Sequence, residues 1–180
     1  VILSALSESS SYPILTEESG VHGLLGHGPV WIVDPLDGTL NFSRSNPFCC
    51  VSIALWQDDQ PLIGVVYDFN RDELFSGVVG KGAWLNGEPV RVSAVLERNQ
   101  AILATGFPTY SDFSDSAVQN FIGQVQQFTK VRLIGAAALS VAYVANGRVD
   151  AYMEKDIMLG AAGDGRAVGA GAGGWMAGGA

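Results

Sequence analysis

Asp34 and Asp37 flank Pro35-Leu36 in the run WIVDPLDGTLNF, residues 31–42, just after the apolar stretch Trp31 to Val33. A proline-containing turn at the end of a strand can aim both carboxylates and the Leu36 carbonyl at one point. Such a cup of oxygens is what a hard cation such as Mg2+ prefers. Gly38-Thr39 open the next element, and backbone N–H groups at a helix start would face the same cup and can bind phosphate oxygens. The spacing alone fits a second reading equally well, in which the two aspartates cap a turn and the helix behind it. Glu17-Glu18 follow the short apolar run Tyr12 to Leu15 in the same way. A carboxylate from that pair brought beside Asp34 would complete a metal site; in isolation the pair reads as a solvated turn.

Other chemistries find less support. His22 and His27 lie in a Gly-rich stretch without a Cys or His partner at zinc spacing, and read as ordinary loop histidines. No GxSxG elbow is present, and no P-loop or GxGxxG follows a strand. Cys49 and Cys50 are adjacent in an apolar run and read as buried thiols in a reducing compartment. Ten basic against eighteen acidic residues give a net charge of −8. So acidic a chain can hardly assemble the basic face that phosphate contacts to nucleic acid require, so no nucleic-acid partner is expected. It would also repel a phosphorylated small substrate unless a cation intervened, and a metal ion is the obvious one. No stretch approaches the roughly 18 apolar residues that span a bilayer, and VILSALSESS at the start lacks the pattern of a leader. The expectation is a cytoplasmic protein with no membrane partner. The missing initial Met is read as a sign that something precedes Val1.

The elements that must position these groups follow from the apolar pattern. With 48% hydrophobic and 16% charged residues, and a mean hydropathy of +0.24, the chain can bury a core. Val1 to Ala5 reads as the end of a helix, followed by a Ser-rich loop through Ser11, and Gly20 to Pro29 reads as a loop. Residues 49–56, 62–67, 73–79 and 83–92 read as an antiparallel meander, with Asn86-Gly87 as a type I′ hairpin turn. The pattern changes near residue 95. Ala101 to Thr105 reads as a strand, then Val118, Phe121, Ile122, Val125 and Phe128 are spaced for one core-facing stripe of a helix. Val131 to Ile134 reads as a strand, Ala138 to Ala145 as a helix stopped by Gly147, and Val149 to Met153 as a strand ending at Glu154. Residues 160–180 hold nine Gly and seven Ala, a poor composition for a helix or a packed strand.

WIVDPLDGTLNF resembles the signature of the inositol monophosphatase family of magnesium-dependent, lithium-sensitive phosphatases. ILTEES is similar to that family's Gly-Glu-Glu strand end, with Thr16 in place of Gly. GVVYDFNRDELFSGVVGKGAWLNGEPVRVS at 64–93, TGFP at 105–108 and GAAALSVAYVANGRVDAYME at 135–154 match as well, in the same order. The resemblance implies an α/β layered sandwich: a metal-binding antiparallel-sheet subdomain over residues 1–94 with its N-terminal helices mostly missing, then a smaller mixed sheet with helices over residues 95–180. It implies a Mg2+-dependent phosphomonoesterase acting on a small polyol or sugar phosphate such as inositol 1-phosphate, and a homodimer. The implied catalytic residues are Glu17, Thr39 and Asp34. Glu17, Asp34 and the Leu36 carbonyl would hold a first metal, and Asp34, Asp37 and a further Asp a second. Gly38 and Thr39 would bind phosphate, while Ala137 through its backbone and Glu154 would contact the leaving-group hydroxyls. Leu40-Asn41-Phe42 resembles the inositol and fructose bisphosphate branches more than the nucleotidase branch, which leaves fructose-1,6-bisphosphatase and 3′-phosphoadenosine phosphatase as alternatives.

The sequence departs from that pattern at residues 158–163. The family has Trp-Asp-x-Ala-Ala-Gly or close to it there; this chain offers Leu159 or Ala161 where the further Asp would stand. Neither side chain binds a cation, so one Mg2+ would be held well and a second poorly. A catalytically impaired metal- or phosphate-binding homologue is the alternative of a different class.

Overall fold

The computed structural model describes residues 1–24, 26, 28–106 and 113–154. The chain opens with α1 (Ile2–Ser9), which runs past the expected end at Ala5, then enters β1 (Ile14–Thr16). The stretch expected to be a loop begins with a strand, β2 (Gly20–His22), paired antiparallel to β1. Strand β3 (Val30–Asp37) carries the central motif, and α2 (Thr39–Ser43) follows it directly. The meander forms as the apolar runs require: β4 (Cys50–Gln57), β5 (Gln60–Asp68), β6 (Glu73–Val78), β7 (Gly82–Leu85) and β8 (Glu88–Pro89). Asn86 and Gly87 between β7 and β8 have φ of 50° and 84°, the two positive values a type I′ turn demands.

These eight strands form one sheet in the order β2-β1-β3-β4-β5-β6-β7-β8, antiparallel except where β1 runs parallel to β3. The second half supplies β9 (Ile102–Thr105), α3 (Asp115–Val125), β10 (Lys130–Leu133), α4 (Ala137–Ala145) and β11 (Ala151–Met153). Its three described strands pair in parallel, in the order β10-β9-β11. The layered α/β reading stands, but the mixed pairing lies in the larger sheet: the short β1 and β3 are joined by a crossover through β2 rather than a hairpin.

Helix α4 is the centre of the molecule. Ala138 to Ala145 are all buried, and the helix packs in one cluster with Cys50, Val66, Phe75 and Ala83 of the large sheet and Ala104 of the small one. A helix apolar on every side is one covered on every side, and its alanines allow both sheets to approach closely. Gly147, at φ 75°, ends it as expected. The α3 stripe behaves differently. Ser114 caps that helix by accepting a hydrogen bond from the Ala117 N–H, yet no residue of α3 is fully buried, and Val118 and Ile122 are 41% and 50% exposed. The expectation of a core-facing stripe is therefore corrected. Periodicity shows which face of a helix is apolar and is silent about what lies opposite.

No helix among the described residues is long and apolar enough to cross a membrane. Cys49 and Cys50 are buried free thiols.

Candidate active site

The site grows from the C-terminal end of β3. Thr16 pairs with Val33, which carries Glu17 to the side of Asp34; the Glu17 N–H donates to the Val33 carbonyl at 3.4 Å. The Glu17 carboxyl lies near enough to Asp34 for its charge to act on it. The β3–β4 register shifts between Asp34 and Asp37, and this bulge lets the two aspartates face the same region although they are an odd number of residues apart. Asp34 Oδ1 accepts the Leu36 N–H at 2.9 Å, closing a tight turn that leaves the Leu36 carbonyl to accept from Thr39 Oγ1 at 3.0 Å.

Asp37 is held from across the molecule. Its two oxygens accept the Ala137 N–H at 3.2 Å and the Ala138 N–H at 2.8 Å, at the N-terminus of α4, where the helix dipole favours negative charge. The buried Cys50 thiol donates to Asp37 Oδ2 at 3.6 Å. The Ala137 N–H is thus engaged by Asp37. Gly38 turns the chain at φ 86° to start α2, and a Cβ there would lie 2.6 Å from the Phe48 carbonyl oxygen, so no other residue fits.

Asp34 is 2% exposed and Asp37 8%. Burial pushes Asp34 up to about 7; the Leu36 N–H opposes this, and the charges of Asp37 and Glu17 add to it. Burial likewise pushes Asp37 up to about 6 against the N–H groups of Ala138 and Ala137. Neither aspartate has a basic partner among the described residues, whose ion pairs are Asp68–Arg71 and Glu73–Arg148. Two buried carboxyls and a third beside them, without a cation, form a donor set suited to a hard metal ion. The described side chains do not themselves gather three carboxylates tightly enough to enclose one.

Glu154 stands just past the end of β11 and takes a hydrogen bond from the Tyr152 hydroxyl. Tyr152 in turn packs against the core cluster that holds Cys50 and Ala138, two of the residues in contact with Asp37. The departure at residues 158–163 lies outside the described residues, as do His27 and Phe107 and Pro108 of the TGFP motif.

Three supporting groups escaped the sequence reading. Asn41 Nδ2 donates to the carbonyls of Phe48, Ile134 and Gly135, tying α2 to the loop before α4. Cys50 contacts Asp37, and Tyr152 contacts Glu154. Only Tyr152 offered a signal, its place two residues before Glu154 on a strand, where alternate side chains share a face.

The model of the inositol monophosphatase family matches residues 1–174. Inositol monophosphatase 3 of Solanum lycopersicum is 44% identical over 128 residues, 70% of this chain and 48% of that protein. Nus factor SuhB of Escherichia coli (strain K12) is 42% identical over 148 residues, 80% of this chain and 55% of that protein. This chain spans about half the length of the curated relatives it matches. The solved structure of inositol monophosphatase from Anabaena (Nostoc) sp. PCC 7120 superposes with a TM-score of 0.90 at 37% identity, covering 96% of this chain and 69% of that one.

Proposed function

Because the chain belongs to the inositol monophosphatase family, we propose that it is a Mg2+-dependent phosphomonoesterase acting on a small polyol phosphate such as inositol 1-phosphate. The observation that carries the reading is the pair Asp34 and Asp37, buried side by side with raised pKa values and, among the described residues, no basic side chain to neutralise them. A protein tolerates such an arrangement when an external cation completes it.

Glu17, Asp34, the Leu36 carbonyl and Asp37 would hold Mg2+. When bound, Mg2+ supplies the positive charge that offsets the substrate phosphate and makes a bound water acidic enough to attack phosphorus. The chain's own contribution is positional. The N–H groups of Gly38 and Thr39 would receive phosphate oxygens. Thr39 Oγ1 donates to the Leu36 carbonyl, which leaves its lone pairs to accept a hydrogen bond from the attacking water. Glu17, beside Asp34 at the exposed rim, would accept the water's other hydrogen and take up that proton as the water attacks. Asp37 is fixed by α4, so a ligand oxygen at that position needs no rearrangement when substrate arrives. Ala137 and Glu154 would border the leaving group.

Release of inorganic phosphate from inositol 1-phosphate, fructose 1,6-bisphosphate and 3′-phosphoadenosine 5′-phosphate, each with and without Mg2+, tests the proposal. The expected result is Mg2+-dependent release, fastest from inositol 1-phosphate. A second reading, a metal- or phosphate-binding homologue with little turnover, is favoured by Leu159 or Ala161 at the place of the family's further Asp. Mg2+ binding without release of phosphate from any of the three would select it.

A further inference from the structure

We infer that Tyr152 is a positioning residue that tunes the site toward hydroxyl-bearing leaving groups, by holding the Glu154 carboxylate against Gly106 with one oxygen left for the substrate. The inference rests on the proposed reading of Glu154 as the group that meets those hydroxyls.

Tyr152 and Glu154 lie on one side of the β11 line, because alternate residues of an extended strand share a face. Strand β11 pairs with β9 so that Tyr152 is opposite Ala104 and Met153 opposite Thr105. The Thr105 hydroxyl donates to the Met153 carbonyl, which ties down the strand end from which Glu154 projects. The Tyr152 hydroxyl donates to Glu154 Oε2 at 2.5 Å, a charge-assisted bond to a carboxylate. Oε1 has no hydrogen-bond partner among the described residues.

Gly106 completes the seat. A Cβ at this position would lie 2.6 Å from Glu154 Oε2 and 2.7 Å from Oε1, so any side chain would evict the carboxylate. Its φ lies outside the left-handed region, so space and not backbone conformation explains the glycine. The carboxylate is therefore fixed from two sides, by a donor and by a wall. Burial and then the Glu154 carboxylate raise the Tyr152 pKa, so the phenol keeps its proton and remains a donor. A carboxylate oxygen with its partner oxygen already committed is an oriented acceptor, and it favours a substrate that brings hydroxyl donors over one that does not.

Steady-state kinetics of Tyr152→Phe test this, with inositol 1-phosphate and with 4-nitrophenyl phosphate, whose leaving group carries no additional hydroxyl. The expected result is a rise in KM for inositol 1-phosphate of about tenfold, the order of one oriented hydrogen bond to a charged group, at nearly constant kcat. The rise for 4-nitrophenyl phosphate should be at least severalfold smaller. Gly106→Ala should give the same selective pattern, and in a Glu154→Gln background Tyr152→Phe should add little, because both changes act through one carboxylate. Equal losses on both esters, or full additivity with Glu154→Gln, would overturn the inference. Wild-type protein inactive on both esters would instead overturn the phosphatase reading beneath it, and this inference with it.

Discussion

Buried carboxylates at the ends of β3 and β5, with β4 between them in the sheet, handle their charge in opposite ways. Asp68, at the end of β5, is fully buried, but Arg71 Nη1 lies 2.8 Å from it and the N–H groups of Asn70 and Arg71 donate to its other oxygen. Close by, Arg148 forms a two-pronged pair with Glu73 and stacks over Tyr143 and Phe75. Every charge there has its partner within the fold. At the end of β3, Asp34 and Asp37 have N–H donors, a thiol and one another, and no basic side chain among the described residues. Cys50 lies between the clusters and senses all three aspartates. Cationic partners were available to the sequence, since it supplied them two strands away. Among the described residues none of them reaches β3, and the proposed cation site rests on that difference.

The strongest way to break this contrast is Asp34→Asn. It should lower phosphate release by at least about a thousandfold, roughly 4 kcal/mol of barrier, with circular dichroism and the melting temperature of the metal-free protein preserved or improved. More than about a tenth of wild-type turnover, which is only ~1.4 kcal/mol, would mean that Asp34 is not central to the site. Asp68→Asn should do the reverse. It leaves Arg71 without its counter-charge and weakens two backbone bonds, costing about 2 kcal/mol of stability by urea denaturation, while Mg2+ affinity of the folded fraction stays at the wild-type value.

The contrast sharpens with pH. Asp34 and Asp37 have folded-state pKa values of about 7 and about 6, above the ordinary 3.8. The protonated form is therefore the one the metal-free fold favours. The stability these groups contribute is fully present below about pH 4 and is lost as pH rises through 6 to 7. The melting temperature of metal-free protein should fall between pH 5 and pH 8 more steeply in wild type than in Asp34→Asn. Added Mg2+ should raise it more at pH 8 than at pH 5, because the cation binds the ionised carboxylates. A Mg2+ shift that is larger at pH 5 would contradict the assignment.

The smallest effect concerns lithium. If the cup at β3 holds Mg2+ during turnover, millimolar LiCl should slow phosphate release at saturating substrate relative to KCl of equal ionic strength, which removes simple screening from the comparison. Inhibition should be modest, because a second metal position here lacks the family's further Asp. Identical rates in the two salts would separate this chain from the lithium-sensitive phosphatases.

Local chemistry explains which parts of this were legible. The Asn86-Gly87 turn, the Gly147 stop and the meander each follow from a few neighbouring residues, and each formed as the sequence reading expected. The turn that brings Asp34 and Asp37 to one strand end was visible because a strand end and a proline-containing turn are local devices. Asn41 was not, because its partners Ile134 and Gly135 are more than ninety positions away in sequence. Cys50 looked like an inert core thiol, and only the β3 bulge brings it against Asp37. The α3 stripe failed for the same reason in reverse, since its apolar spacing was local and its covering surface was not.

The bond between Asp37 and the start of α4 has a consequence for anyone who would transplant this chemistry. The segment WIVDPLDGTLNF looks portable, a dozen residues that could be grafted onto the edge of another sheet. Half of what fixes Asp37, however, is supplied by Ala137 and Ala138, a hundred positions downstream, and those two are placed by a helix wedged between both sheets. A graft of the loop alone would carry the ligands and leave behind their anchor. The smallest heritable unit of this arrangement is the β3 turn together with the packing around α4, so drift in the interior of the protein is also drift in the placement of Asp37.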